Sequence, residues 1–219
     1  EVSKATMLGI LSFRLGVDLS YAQFRHGDNQ YFNDLTLSQL RGKEIKYVDL
    51  GAYNGDTFFE LKSITEVVCK EAYLFEPDPG NFSQLVKNVK DIEGPICLPL
   101  AASDTYKIMT FSAGQGESGN ISSAGDIHIA AASLDEILPS LKVDLLKLDI
   151  EGAEMEALNG AARCIQSSQP IITLSLYHKP QDLWALTLHL KKLCPKHKLF
   201  IRQHYFNSFD SVLYAVPSN

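Results

Sequence analysis

The chain has no paired-cysteine signature. Its four cysteines, Cys69, Cys97, Cys164 and Cys194, stand far apart and form no C-x-x-C. That spacing argues against a zinc site or a disulfide scaffold and fits a reducing compartment, so a cytoplasmic location is expected. Long apolar runs are also missing. Met7-Leu8-Gly9-Ile10-Leu11 gives way to Ser12, Phe13 and Arg14, too soon for a membrane span. Basic charge is not in excess: 20 Lys and Arg against 26 Asp and Glu leave a net charge of −6. That balance argues against a nucleic-acid backbone as the main partner. There are no internal repeats and no low-complexity tracts. The chain begins at Glu1 rather than a methionine, which leaves room for an upstream targeting segment.

What is present is ordinary for a soluble globular chain: 219 residues, 45% apolar and 21% charged. Residues 1–45 read as a helical lead-in, or a cap over a cleft. Met7, Ile10, Leu11 and Leu15 predict one helix, and Leu35, Leu37 and Leu40 a second. Residues 46–219 read as the main domain, in which strands and helices alternate as in a parallel sheet covered on both faces. Strands are expected at 46–50, 72–76, 96–101, 143–150 and 170–177, with helices at 55–64, after Pro77-Asp78-Pro79, at 151–164 and at 180–193. Residues 198–202 and 211–216 form a closing pair. Ile108 to Phe111 and Ile127 to Ala131 are short strands around Ser112–Asn120, a glycine-rich loop read as a mobile lid.

One further absence shapes the reading of function. The turn after the first strand, Tyr47-Val48-Asp49-Leu50-Gly51-Ala52-Tyr53-Asn54-Gly55-Asp56-Thr57, has Gly51-x-x-x-Gly55 in place of G-x-G-x-x-G. Asp49 and Asp56 flank it and would repel a pyrophosphate but suit an ammonium or sulfonium. Glu76 closes the second strand and can accept both hydrogen bonds of a ribose diol. A ribose with a positive, non-phosphate tail describes S-adenosylmethionine. An ordinary turn with solvated acids is the plain alternative.

Four stretches occur in order and resemble the FkbM family of S-adenosylmethionine-dependent methyltransferases: Val48 to Thr57, Phe75-Glu76-Pro77-Asp78-Pro79, Ala101-Ala102-Ser103-Asp104, and Leu146-Lys147-Leu148-Asp149-Ile150-Glu151-Gly152-Ala153-Glu154. Tyr177-His178-Lys179-Pro180-Gln181-Asp182-Leu183-Trp184 is similar to a segment of many bacterial members. The resemblance covers about residues 47–216. It implies an α/β class I methyltransferase (Rossmann-like) doubly wound sheet, mostly parallel with an antiparallel last strand, order 3-2-1-4-5-7-6. It implies an enzyme of EC 2.1.1 type that methylates a hydroxyl of a sugar, glycan or natural product. One departure is Ser175, where many members carry a glutamate, so an acid role at that position is not carried over.

Asp49, Gly51, Asn54, Gly55 and Thr57 would hold the methionine part of the cofactor and Glu76 the ribose, with Ser103 and Asp104 near the adenine; Ala52 and Pro77 are also expected to contact the cofactor. Methyl transfer to oxygen needs alignment and removal of the hydroxyl proton. Asp149, also beside the cofactor, would orient the acceptor or take its proton, or else cap the next helix. Glu151 would act directly or support that helix through its dipole. Lys147 is read as an ion-pair partner of Asp49, Asp149 or Glu151, ahead of proton transfer. His178 follows the fifth strand and is a candidate base or a structural histidine. No metal site is expected from ligand spacing. No Asp/Asn-Pro-Pro-aromatic stands after the fourth strand, which favours oxygen over nitrogen as acceptor. The rivals are an NAD(P)-dependent oxidoreductase and a catalytically silent ligand-binding relative. Monomer and homodimer both stay open.

Overall fold

A computed structural model of the chain describes residues 1–112, 120–121 and 127–218. It comprises two compact units, Leu40–Pro170 and Glu1–Gln39 with the segment from Ile171 onward. In chain order, α1 (Val2–Arg14) and α2 (Asp34–Leu40) are the two helices expected from the apolar spacing. Ile10 is the buried apolar anchor of α1, whereas Leu8 faces solvent.

The unit Leu40–Pro170 carries a parallel sheet. Its strands are β1 (Glu44–Leu50), β2 (Val68–Phe75), β3 (Pro95–Leu98) and, later in the chain, β8 (Leu145–Leu148). They pair in the order β3-β2-β1-β8, which is 3-2-1-4 among the main strands. Leu50 lies opposite both Phe75 and Leu148, and Phe75 opposite Leu98, so all four strands end on one line. The turns that follow therefore emerge along one carboxyl edge, where open α/β sheets bind ligands. Helix α3 (Asp56–Ser63) follows β1, and α4 (Pro79–Val89) follows β2. Asp78 starts α4, its carboxylate accepting from the N–H of Gly80 and Asn81, with Pro79 at the first helical position.

Two expected elements are broken. The third strand stops at Leu98: beyond Pro99, Leu100 donates back to the Leu98 carbonyl at 2.8 Å rather than to β2. Ala101–Ala102 instead forms β4 in a second sheet with β5 (Lys107–Ser112), β6 (Asn120–Ile121) and β7 (Ile127–Ala132), ordered β4-β7-β5-β6. Ala101, Phe111, Ile129 and Ala131 make its core. This sheet is the departure in detail from the expected architecture. The lid expected at 112–120 falls, for residues 113–119, outside the described residues.

After α5 (Leu134–Ile137) and β8, the expected helix 151–164 is two helices, α6 (Glu154–Gly160) and α7 (Ala162–Ser168). Asp135 explains the break. Its buried carboxylate accepts from the N–H of Arg163 and Cys164, both at 2.8 Å, and so caps α7 independently. Gly160 adds a close approach: a Cβ there would lie 1.9 Å from the Ser103 carbonyl oxygen.

In the other unit, β9 (Ile171–Ser175), α8 (Asp182–Leu193), β10 (His197–Gln203) and β11 (Ser211–Pro217) follow. β11 pairs antiparallel with β10 on one side and β9 on the other, the order 5-7-6 among main strands. Paired on both edges, it is buried from Ser211 to Val216. The fold is α/β with a mostly parallel central sheet, of the class I methyltransferase kind. Among the described residues, no helix is long and apolar enough to cross a membrane.

Candidate active site

The glycine turn is built from its own backbone. Gly51 and Ala52 both donate to the Phe75 carbonyl at the end of β2, at 3.1 and 2.9 Å. Tyr53 donates to Glu76 Oε2 at 2.8 Å, and Gly55 to the Ala52 carbonyl at 2.7 Å. Asp56 donates to Asn54 Oδ1 and Thr57 to Asp56 Oδ1, which starts α3. Asn88 of α4 donates its side-chain amide to the Asn54 carbonyl. The turn therefore has its N–H groups engaged with protein acceptors at six positions, Gly51, Ala52, Tyr53, Gly55, Asp56 and Thr57. A phosphate loop would leave such groups for its ligand.

Gly51 and Gly55 have φ of +89° and +91°, a region closed to most side chains. A Cβ on Gly51 would lie 2.0 Å from the Asp149 carbonyl oxygen, so its bareness lets the turns after β1 and β8 touch. Gly55 would meet Leu85 of α4 at 3.0 Å. The two glycines let the turn pack closely against its neighbours, the turn after β8 and helix α4.

Glu76 is the buried acid beside that turn, 6% exposed. Oε2 accepts from Tyr53 and Oε1 from the N–H of Asp78 at 2.9 Å. The Asn81 side chain also donates to this carboxylate, so three of its roughly four lone-pair sites are taken within the protein and about one is left for a ligand. Burial pushes its pKa up to about 7, against the pull of the Asp78 and Tyr53 amides. Its protonation is thus sensitive to pH near neutrality.

Under the same edge lies a closed ion pair. Lys147 Nζ donates to Asp49 Oδ1 at 2.8 Å and to the Gly51 carbonyl at 2.9 Å. Tyr47 donates its hydroxyl to Asp49 Oδ2 at 2.8 Å. Burial alone would lower the Lys147 pKa, but Asp49, with Asp149 beside it, outweighs this and holds it above its ordinary value. Asp49 thus answers a lysine rather than presenting a bare charge to a ligand. Lys147 in turn holds the glycine turn by its carbonyl.

Asp149 follows β8, half-buried, its N–H donating to the Leu50 carbonyl. Glu151 does not start the helix as expected; it sits in the preceding turn with φ +55°, followed by Gly152 at +98°. Glu154, the first residue of α6, is almost wholly buried, and its Oε1 accepts from the N–H of Ile150 and Gly152. This role escaped sequence reasoning, although the Glu154 position belongs to the motif that carried the resemblance. Ser103 is buried and donates to Asp104 and Glu156, both also bound by Lys107. Pro77 is half-buried between Glu76 and Asp78. His178 lies in the other unit, after β9, its ring 4.3 Å from that of Tyr177. Among the described residues, no group of three or more His, Cys, Asp or Glu is arranged to hold a metal.

These residues suit a ribose-bearing ligand without phosphate: a buried acid with spare acceptor capacity, beside a turn whose amides are engaged. Comparison with known proteins identifies the family. Residues 49–212 match the family described as the methyltransferase FkbM domain. A hexuronic acid methyltransferase, AglP, of Haloferax volcanii is 28% identical over 140 residues, covering 54% of this chain and 53% of its own. The solved methyltransferase FkbM of Methylobacillus flagellatus superposes with a TM-score of 0.79 at 23% identity, over 98% of this chain and 55% of its own. A precorrin-6y C5,15-methyltransferase of Geobacter metallireducens shares the fold more distantly, at TM-score 0.51 and 15% identity, over 84% of this chain and 86% of its own. The chain spans about half the length of the AglP and FkbM relatives. With the family match running from the glycine turn into β11, the chain belongs to the FkbM methyltransferase domain family.

Proposed function

We propose that this chain is the catalytic domain of an S-adenosylmethionine-dependent O-methyltransferase acting on a hydroxyl of a sugar or glycan. The observation that carries the reading is the pairing of Glu76 with a turn whose amides are already engaged. Such a turn offers little to a pyrophosphate, which counts against NAD(P), while Glu76 retains acceptor capacity for a ribose hydroxyl. Support for a sugar acceptor comes from the hexuronic acid methyltransferase relative, similar over half its length.

S-Adenosylmethionine would supply a methyl group on a sulfonium, open to attack by a hydroxyl oxygen. Glu76, with Pro77 beside it, would bind the ribose. The turn from Gly51 to Thr57, including Ala52, Asn54 and Gly55, would bound the methionine part, and Ser103 and Asp104 the adenine. Asp149 would orient the acceptor hydroxyl and take its proton, with Glu151 in support; His178 is the second candidate base. Lys147 and Asp49 would keep the turn in shape. A reducing, cytoplasmic setting fits the four free cysteines.

Calorimetric titration with S-adenosylhomocysteine, and NAD in parallel, tests this reading. One-to-one binding of the former alone is expected. Binding of NAD alone would overturn it in favour of an oxidoreductase. Labelled methyl transfer to uronic-acid oligosaccharides then tests the acceptor; binding without transfer across a broad hydroxyl panel would indicate a silent relative.

A further inference from the structure

We propose that Glu154 is a positioning residue that holds the 149–152 turn, and through it Asp149 and Glu151, in their working arrangement. The chain leaves β8 at Leu148 and enters α6 at Glu154. Between them, Glu151 and Gly152 both take left-handed backbone conformations, φ +55° and +98°. For a residue with a side chain this is a strained choice, kept only where surroundings impose it. Glu154 imposes it. Its Oε1 accepts from the N–H of Ile150 at 3.2 Å and of Gly152 at 3.3 Å, bracketing Glu151. On the other side, the Leu50 carbonyl accepts from the N–H of Asp149.

A carboxylate that merely capped the helix would serve amides inside its first turn. These two amides precede it, in the segment that carries the candidate catalytic acids. A turn held at both ends fixes where Asp149 and Glu151 leave the backbone, and misplacement by about 1 Å can cost on the order of 100-fold in rate. Both hydrogen bonds fall on one oxygen. A glutamine side-chain oxygen can therefore replace it, whereas alanine cannot. The catalytic part of this inference rests on the methyltransferase reading above; the structural part does not.

Glu154→Ala and Glu154→Gln test it in the intact chain. Hydrogen exchange at the Ile150 and Gly152 amides, followed by NMR, reads the turn directly. Calorimetry with S-adenosylhomocysteine reads cofactor binding. Methyl transfer from labelled S-adenosylmethionine to a glucuronic-acid oligosaccharide reads turnover. Glu154→Ala is expected to lose protection at both amides and at least tenfold in kcat, with cofactor affinity and acceptor KM within about threefold. Glu154→Gln is expected to restore the protection and most of the turnover. Unchanged protection in Glu154→Ala, or equal loss in both variants, overturns the proposal. If Glu154→Ala does not fold, loss of both protection and turnover in a folded Glu154→Gln overturns it. An inactive wild type that binds no S-adenosylhomocysteine would defeat the methyltransferase reading instead, and amide protection would still judge the role of Glu154 in the turn.

Discussion

Asp49 and Lys147 face each other across the parallel pair of β1 and β8, and their side chains meet at 2.8 Å with both groups almost wholly buried. Removing one partner strands a charge away from water, which costs about 3–5 kcal/mol. Lys147→Met is expected to destabilise the chain by that amount in urea denaturation. Asp49→Asn combined with Lys147→Met should recover part of the loss, because neither charge then remains. A double variant no better than Lys147→Met alone would show that the two groups act separately.

Glu76 predicts a pH dependence of definite sign. Its pKa is raised from 4.5 to about 7 in the fold, so the folded chain holds this proton more tightly than the unfolded chain. The stabilisation is fully present below pH 4.5 and is lost as pH rises through about 7. Glu76→Gln should remove this dependence, so that the stability of the wild type relative to the variant falls on the order of 3 kcal/mol between pH 4.5 and 8. Denaturation at several pH values reads it. A constant difference would place the carboxyl's titration elsewhere.

Ligand binding should run the opposite way. Ribose hydroxyls donate best to an ionised carboxylate. Affinity for S-adenosylhomocysteine is therefore expected to rise from pH 6 to pH 8 in the wild type, and to be weaker and flat with pH in Glu76→Ala. Equal affinity in Glu76→Ala and wild type would remove the ribose role.

Much of this edge was legible because its signals are local. The apolar run of β1, two glycines in a turn and the Asp78-Pro79 start of α4 each act within a few residues. The acid at the end of β2 needed only the strand boundary. What escaped depends on contacts across the chain. Lys147 had three candidate partners in sequence, and register selects Asp49. The division of α6 from α7 depends on Asp135, nearly thirty residues upstream. Pro99 did carry a local signal, yet its apolar neighbours Leu98 and Leu100 read as a continuing strand.

Gly51 and Gly42 separate close approach from backbone freedom. Both have positive φ, +89° and +75°. A Cβ on Gly42 meets nothing within 4 Å, whereas on Gly51 it strikes the Asp149 carbonyl. Gly42→Ala is expected to cost about 1–2 kcal/mol, the ordinary price of a left-handed alanine. Gly51→Ala should cost roughly twice that or more, since backbone must shift as well. Similar losses in urea denaturation would mean that the turns after β1 and β8 part readily.

Asp149→Asn and His178→Asn distinguish the two candidate bases. Asparagine keeps the size and polarity of Asp149 but cannot accept a full proton. If Asp149 takes the acceptor's proton, Asp149→Asn loses about 100- to 10,000-fold in kcat while S-adenosylhomocysteine affinity holds within a few-fold. His178→Asn should then lose far less, and its pH–rate profile should keep the wild-type acid limb. The reverse pattern, with that limb abolished in His178→Asn, would transfer the base role to the histidine, because a base titrating near neutrality shapes the rate below its pKa. Asp149 would then be left to orient the hydroxyl, a role that asparagine can largely fill.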